Sequence, residues 1–248
     1  MSTAQNTSSV IQITGLEKSF GNNHVLRKLS LELKQGENLV VLGKSGSGKS
    51  VLIKCIIGLI QPDEGRIEGV GEDIPELTHE ALDEMRVKVG FLFQSNALYD
   101  SMTIRENLEF PLRRHWIKNS KESVNDLVME ALNNVGLSGT IDMMPEELSG
   151  GMRKRIALAR TLILKPKIIL YDEPTTGLDP ITGKDICHLM LDIQKKYNTS
   201  SVIISHDMNC VRLTANRIIV LIDGTCYAMG TYDELKNSGD PKVRQFFD

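Results

Sequence analysis

Eight consecutive residues, Gly43-Lys44-Ser45-Gly46-Ser47-Gly48-Lys49-Ser50, follow an apolar run at 39–42 and precede an apolar helical pattern at 51–60. Few local sequences leave a chain so little choice. A strand has to end, a glycine-rich loop has to turn tightly, and a helix has to open with its unpaired N–H groups converging on one point. The spacing is G-x-x-x-x-G-K-[ST], in which small residues let backbone N–H groups approach phosphate oxygens while the helix presents its positive end. Lys49 adds a mobile point charge. Ser50 offers a hydroxyl to a magnesium ion, which is small, dehydrates reluctantly and accepts only one or two protein oxygens besides phosphate and water. The expected nucleotide-binding segment runs from Gly43 through Val51.

Four nearly continuous apolar runs, at 39–42, 89–93, 168–171 and 202–204, are separated by helical sequence, the pattern of buried parallel strands. Each run is followed at once by unusual chemistry: the phosphate loop, Gln94, Asp172-Glu173 and Ser205-His206. Ligands in parallel α/β sheets collect outside the carboxyl ends of the strands, so the four exits are expected to converge on one nucleotide. Residues 10–20 and the alternating 29–34 read as half-buried strands joined through a turn at Gly21-Asn22, which suggests a small antiparallel layer. Residues 217–222 and 226–229 flank Asp223-Gly224, a hairpin signal. The stretch 95–165 reads as an inserted helical lobe, with a helix at 125–134 stopped by Gly136. The lobe ends in Leu148-Ser149-Gly150-Gly151, followed by a helix at 152–164 with an apolar stripe at Ile156, Ala159 and Ile163.

Asp172 and Glu173 close an apolar strand, where adjacent carboxylates are costly unless a cation or a reactive water uses them. Asp172 is expected in the magnesium shell, and Glu173 is placed to activate a water attacking a terminal phosphate. Gln94 has an amide able to meet both metal and water, so Ser50, Gln94 and Asp172 form the expected metal set; its other reading is an ordinary surface glutamine. His206 either hydrogen-bonds the terminal phosphate or packs as the cap of a helix beginning near Asp207. Phe20 either stacks on adenine or packs in the core. Ser149-Gly150-Gly151 has the chemistry of a second anion site; the alternative is a glycine-rich helix start with Ser149 as its cap. Two anion sites suggest two chains, each facing the phosphate held by the other in a head-to-tail homodimer.

With 248 residues and 41% hydrophobic composition, the chain can bury a full core. A net charge of −3 argues against a generally basic nucleic-acid surface. Cys55, Cys187, Cys210 and Cys226 form no C-x-x-C pair and are expected to be reduced core thiols in the cytosol. Residues 1–9 read as a flexible tail without a secretion leader, and residues 10–248 as one ATPase domain. No stretch approaches the length needed to cross a bilayer.

These ordered motifs resemble the nucleotide-binding subunits of ATP-binding-cassette transporters over essentially the full length. Residues 43–50 match the Walker A loop, 168–172 the Walker B strand, Glu173 the catalytic base, Gln94 the Q-loop, His206 the switch histidine and Phe20 the adenine-stacking aromatic. Residues 148–152 match the LSGGQ signature with Met152 in place of glutamine, and Gly177-Leu178-Asp179 match the D-loop. The stretches 93–99, 144–152, 179–182 and 240–246 are similar to the ATPase of Mla/Mce-type phospholipid transport systems, in which Met152 is the expected residue. The resemblance implies an α/β ABC ATPase fold, ATP and Mg2+ as cofactors, hydrolysis of ATP to ADP and phosphate, and a site on the cytoplasmic face of a bacterial inner membrane. It also implies an integral-membrane permease, an MCE-domain lipid-binding protein and a small STAS-domain subunit as partners. Leu98 and Tyr99 are expected either to contact the permease or to be buried in the helical lobe. Competing expectations are a transporter for another cargo, or a non-transport ATPase working on ribosomes or DNA. The latter is expected to carry tandem cassettes, a coiled-coil insertion or a basic extension, none of which this sequence contains.

Overall fold

The structure, a computed structural model, describes residues 8–114 and 123–247. The chain opens with the hairpin β1 (Ser9–Phe20) and β2 (Asn23–Lys34), then β3 (Asn38–Leu42) runs into the phosphate loop and α1 (Lys49–Ile56). β4 (Glu64–Gly69) and β5 (Glu72–Asp73) follow, then α2 (His79–Lys88) and β6 (Val89–Leu92). The helices α3 (Ile104–Arg114), α4 (Val124–Asn134) and α5 (Gly150–Leu162) come next. β7 (Ile168–Asp172), α6 (Pro180–Tyr197), β8 (Ser200–Ile204) and α7 (Met208–Thr214) lead to β9 (Arg217–Ile222) and β10 (Thr225–Gly230). Two short helices, α8 (Tyr232–Lys236) and α9 (Pro241–Arg244), end the described chain.

One sheet is antiparallel, in the order β2-β1-β4-β5; the other has the order β10-β9-β3-β8-β7-β6. In the second, β9, β3, β8, β7 and β6 run parallel and only β10 pairs antiparallel. The four apolar runs are therefore parallel neighbours. β9 is a fifth parallel strand, which its place in the Asp223-Gly224 hairpin disguises. The first sheet is also larger than residues 10–34 foretell, because β4 contains two glycines and little apolar periodicity. Residues 1–7 of the expected tail lie outside the described residues, and Ser9 already belongs to β1.

Strands buried on both faces divide the core. Leu39, Val41, Leu170, Val202 and Ile204 face α1 and the antiparallel sheet, meeting Leu29, Leu33, Leu52 and Ile56. Val40, Leu42, Ile169, Tyr171 and Ile203 face the other way, onto Leu158 and Leu162 of α5 and Ile186 and Met190 of α6. Each such fully buried aliphatic side chain contributes roughly 1.5–3 kcal/mol. A third cluster lies in the helical lobe, where Ile156, Ala159 and Ile163 meet Leu108 of α3 and Leu132 of α4. The expected stripe of α5 thus faces the lobe while its opposite side faces the parallel sheet. Of the lobe expected at 95–165, residues 115–122 lie outside the described residues.

Local signals set the ends of these helices. Ser149 Oγ accepts from the Met152 N–H at 3.2 Å, and Asp179 Oδ1 accepts from Ile181 and Thr182 N–H ahead of Pro180. α1 stops at Ile56 rather than Ile60, because the chain turns through Gly58 at φ 65°. Among the described residues no helix is long and apolar enough to cross a membrane. Cys55, Cys187 and Cys210 are buried and Cys226 is half-buried, all as free thiols.

Candidate functional site

Residue size dictates the phosphate loop. A Cβ on Gly43 would stand 2.6 Å from Ser47 Oγ and 2.7 Å from the Leu221 carbonyl, while Gly48 has φ 103°, a conformation that side chains disfavour. Gly48 leaves the start of α1 without a side-chain cap, so first-turn N–H groups remain available to an anion. Lys49 lies buried in that turn, and its Nζ donates to the carbonyls of Gly43 at 2.7 Å and Lys44 at 3.0 Å. Burial holds its pKa below the usual lysine range, against the opposing pull of Glu173 and then Asp172. Ser47 Oγ is buried with no hydrogen-bond partner in the protein.

The other strand exits meet this loop as the topology requires. Gly43, Lys44, Ser45, Gly46, Gly48, Lys49, Ser50, Val51, Gln94, Glu173 and His206 line one cleft of about 670 Å³. Glu173 follows β7 at φ 51°, a left-handed conformation costing on the order of 1 kcal/mol for a side-chain-bearing residue. Its N–H donates to the Ile204 carbonyl at 2.9 Å, which ties that turn to the end of β8. His206 Nδ1 lies 2.8 Å from Glu173 Oε2. The capping alternative for His206 fails: Asp207 caps α7 by accepting from the Asn209 N–H, and the His206 side chain is exposed.

Asp172 lies beside this group rather than on the cleft wall. Burial raises its carboxyl pKa above the usual range, the charge of Glu173 raises it further, and Lys54, Lys49 and Lys154 oppose the shift. Its Oδ1 is buried without a partner. This orphaned carboxylate oxygen, together with the Ser50 hydroxyl and the Gln94 side-chain carbonyl on the cleft wall, offers oxygen donors, which suit a hard divalent cation such as Mg2+. Among the described residues no three His, Cys, Asp or Glu side chains cluster as metal ligands, so such an ion would draw its remaining ligands from phosphate and water.

Besides Asp172 and the buried Ser47, two expected elements lie outside this cleft: Phe20, and the signature segment, which was expected to face the phosphates of a second chain. Phe20 ends β1 with 49% of its surface exposed and Lys18 Nζ 5.5 Å from its ring centroid, which rules out core packing. Ser149, Gly150 and Gly151 open α5 at another surface, beside the D-loop. A Cβ on Gly151 would meet Thr182 Cγ2 at 2.6 Å, so packing against α6 is reason enough for that glycine. Gly150 has no such reason, its nearest neighbour being Leu178 Cδ2 at 4.0 Å.

Several residues of the region were not assigned to the site from the sequence. Val25 and Met208 line the cleft, and so do Gln245 and Phe246 beyond α9, whose stretch 240–246 was marked only by resemblance. Lys154 is 2% exposed, and its Nζ donates to the Gln94 carbonyl at 2.9 Å. It shares one face of α5 with Ala157, Leu158 and Thr161, at the i, i+3, i+4, i+7 spacing, but its place between Arg153 and Arg155 makes it read as a solvated residue. Burial pushes its pKa down to about 8, against the pull of Asp172.

Known proteins share this architecture. Residues 26–176 match the ABC transporter family. The probable ribonucleotide transport ATP-binding protein mkl of Mycobacterium leprae is 42% identical over 95% of the chain and 68% of its own length. The intermembrane phospholipid transport system ATP-binding protein MlaF of Haemophilus influenzae is 37% identical over 96% of the chain and 90% of its own length. A dimeric, post-hydrolysis structure of the ATP-binding cassette MJ0796 with ADP and Pi superposes with a TM-score of 0.80 at 32% identity, covering 89% of this chain and 98% of that one. With the family matched over most of the chain and the phosphate loop, strand-end carboxylate and cleft in place, this chain belongs to the ABC transporter family as an ATP-binding, ATP-hydrolysing subunit.

Proposed function

We propose that the chain powers phospholipid trafficking between membranes, as the ATPase of an Mla/Mce-type transporter. The supporting observation is its 37% identity over 90% of the length of a protein named for intermembrane phospholipid transport. In this reading the N–H groups of residues 43–51 and the Lys49 ammonium hold the β- and γ-phosphates, and Phe20 covers the adenine. A magnesium ion bound with ATP would be held by Ser50, Gln94 and Asp172, and would neutralise phosphate charge. Glu173 takes a proton from the water that attacks the γ-phosphorus, and ADP leaves with the bridging oxygen. His206, 2.8 Å from Glu173, orients that carboxylate and donates toward the phosphate.

The exposed end of α5 supports the dimer part of the reading. Ser149, Gly150 and Gly151 lie on a surface apart from the chain's own cleft, where a second copy can bring its phosphates, and the MJ0796 cassette is itself dimeric. The membrane part draws on Tyr99, which is 41% exposed beside Phe110 at 4.8 Å between ring centroids, whereas Leu98 packs inward. A permease helix docking there would sense Gln94, with the chain on the cytoplasmic face of a bacterial inner membrane. An MCE-domain lipid-binding protein and a STAS-domain subunit complete the proposed assembly, with no direct nucleic-acid contact.

A second reading keeps the motor and changes the cargo to a ribonucleotide, as in the name of the 42% identical relative. Gentle detergent extraction through a tag on this chain, followed by identification of bound proteins and lipids, separates the two. Phospholipid with an MCE-domain protein is expected; a nucleotide-binding receptor without lipid would favour the second reading.

A further inference from the structure

Two side chains of α5 grip one short stretch of backbone. Lys154 Nζ donates to the Gln94 carbonyl at 2.9 Å and Arg160 Nη2 to the Asn96 carbonyl at 3.2 Å, while the Thr161 hydroxyl, which donates to the Ala157 carbonyl of its own helix at 2.9 Å, lies 3.3 Å from the Phe91 carbonyl. The gripped stretch is strained. Asn96 and Ala97 both adopt left-handed backbone, φ 65° and 52°, and consecutive residues of that kind persist only where surroundings over-determine them. Beyond them, Asn107 fixes Tyr99 by accepting from its N–H at 2.8 Å and donating to its carbonyl at 3.0 Å. Lys154 is the costliest of these restraints, because a buried ammonium surrenders its hydration for a backbone carbonyl and the attraction of Asp172. A methionine would fill the same space, keep the helix and avoid that cost. Stability alone therefore does not call for lysine at this position.

We propose that Lys154 is a positioning residue for ATP hydrolysis, latching the Gln94 loop to α5 so that the signature end of that helix and Gln94 move as one body, with Arg160 as the second attachment. One helix then joins the surface offered to a second copy to the loop that reaches the chain's own cleft. Movement of Ser149 on closure carries Gln94 with it. The functional half of this proposal rests on the reading of Gln94 as a member of the nucleotide site; the mechanical half does not.

Hydrogen–deuterium exchange on the full chain without nucleotide tests the mechanical half. Lys154→Met is expected to speed exchange across residues 93–99 by about tenfold or more while β3 and β7 stay unchanged, and Lys154→Arg, which keeps a donor, is expected to restore protection. Arg160→Met provides an independent probe of the same stretch, with loosening expected there too. Steady-state hydrolysis tests the functional half: kcat is expected to fall by on the order of tenfold in Lys154→Met with KM for ATP moved less than about twofold, because positioning rather than binding is lost. Unchanged exchange over 93–99 in both methionine variants overturns the latch. Loosened exchange with an unchanged kcat overturns the functional half and removes Gln94 from hydrolysis, leaving the rest of the nucleotide site untouched.

Discussion

Glu173 occupies a backbone conformation that its residue type disfavours, and it lines the cleft with its carboxylate 2.8 Å from His206 Nδ1. Replacing it with glutamine keeps the shape and a partner for His206 while removing the base. Hydrolysis by Glu173→Gln is expected to fall by roughly 10² to 10⁴ while ATP affinity stays near wild type, as read by phosphate release beside an equilibrium binding titration. Near-normal turnover would remove Glu173 from that role. Residues of this sort were legible in the sequence because their chemistry is out of place at the end of an apolar strand. Lys154 was hidden for the opposite reason: between Arg153 and Arg155 it reads as part of a solvated basic run, and only the three-dimensional phase of α5 turns it inward. Gln245 and Phe246 belong to the stretch 240–246 marked by resemblance, but they reach the cleft only through the fold of the last turns, which that resemblance did not assign to the site.

At the scale of elements, α5 does the most varied work. Its lobe-facing stripe of Ile156, Ala159 and Ile163 was visible as periodicity, and its opposite face was not, since alanine, leucine and lysine share no hydropathy. Ser149 caps the helix and fronts the exposed surface, so Ser149→Arg tests both properties. Loss of the cap is expected to cost about 1 kcal/mol, lowering the melting temperature by roughly 2–4 °C. ATP binding to the single chain is expected to persist within about twofold, while ATP-driven dimerisation, followed by sedimentation in a Glu173→Gln background, is lost. Failure to bind ATP in a folded Ser149→Arg chain would place Ser149 inside its own subunit's pocket. Strands divided along similar lines. β3, β6, β7 and β8 announced themselves as continuous apolar runs. β4, polar and with two glycines, is a strand because β1 offers it an edge to pair with, and the two-residue β5 pairs in turn with β4.

Across the whole molecule, parallel strand order brings the ends of β3, β6, β7 and β8 to one cleft, so motifs separated by more than a hundred residues of sequence become neighbours. The site was legible because the order of a buried parallel sheet imposes this convergence on whatever follows each strand. What the chain moves was legible only through resemblance, since the chemistry of the cleft is that of nucleotide binding and specifies no cargo. The most direct measurement of the central claim is phospholipid transfer from donor vesicles containing the purified complex to acceptor vesicles. Transfer is expected to require ATP and to fall at least about tenfold when the complex carries Glu173→Gln, in step with hydrolysis. Lipid transfer indifferent to ATP and to Glu173→Gln, alongside ATP-dependent uptake of a ribonucleotide into the same vesicles, would contradict it.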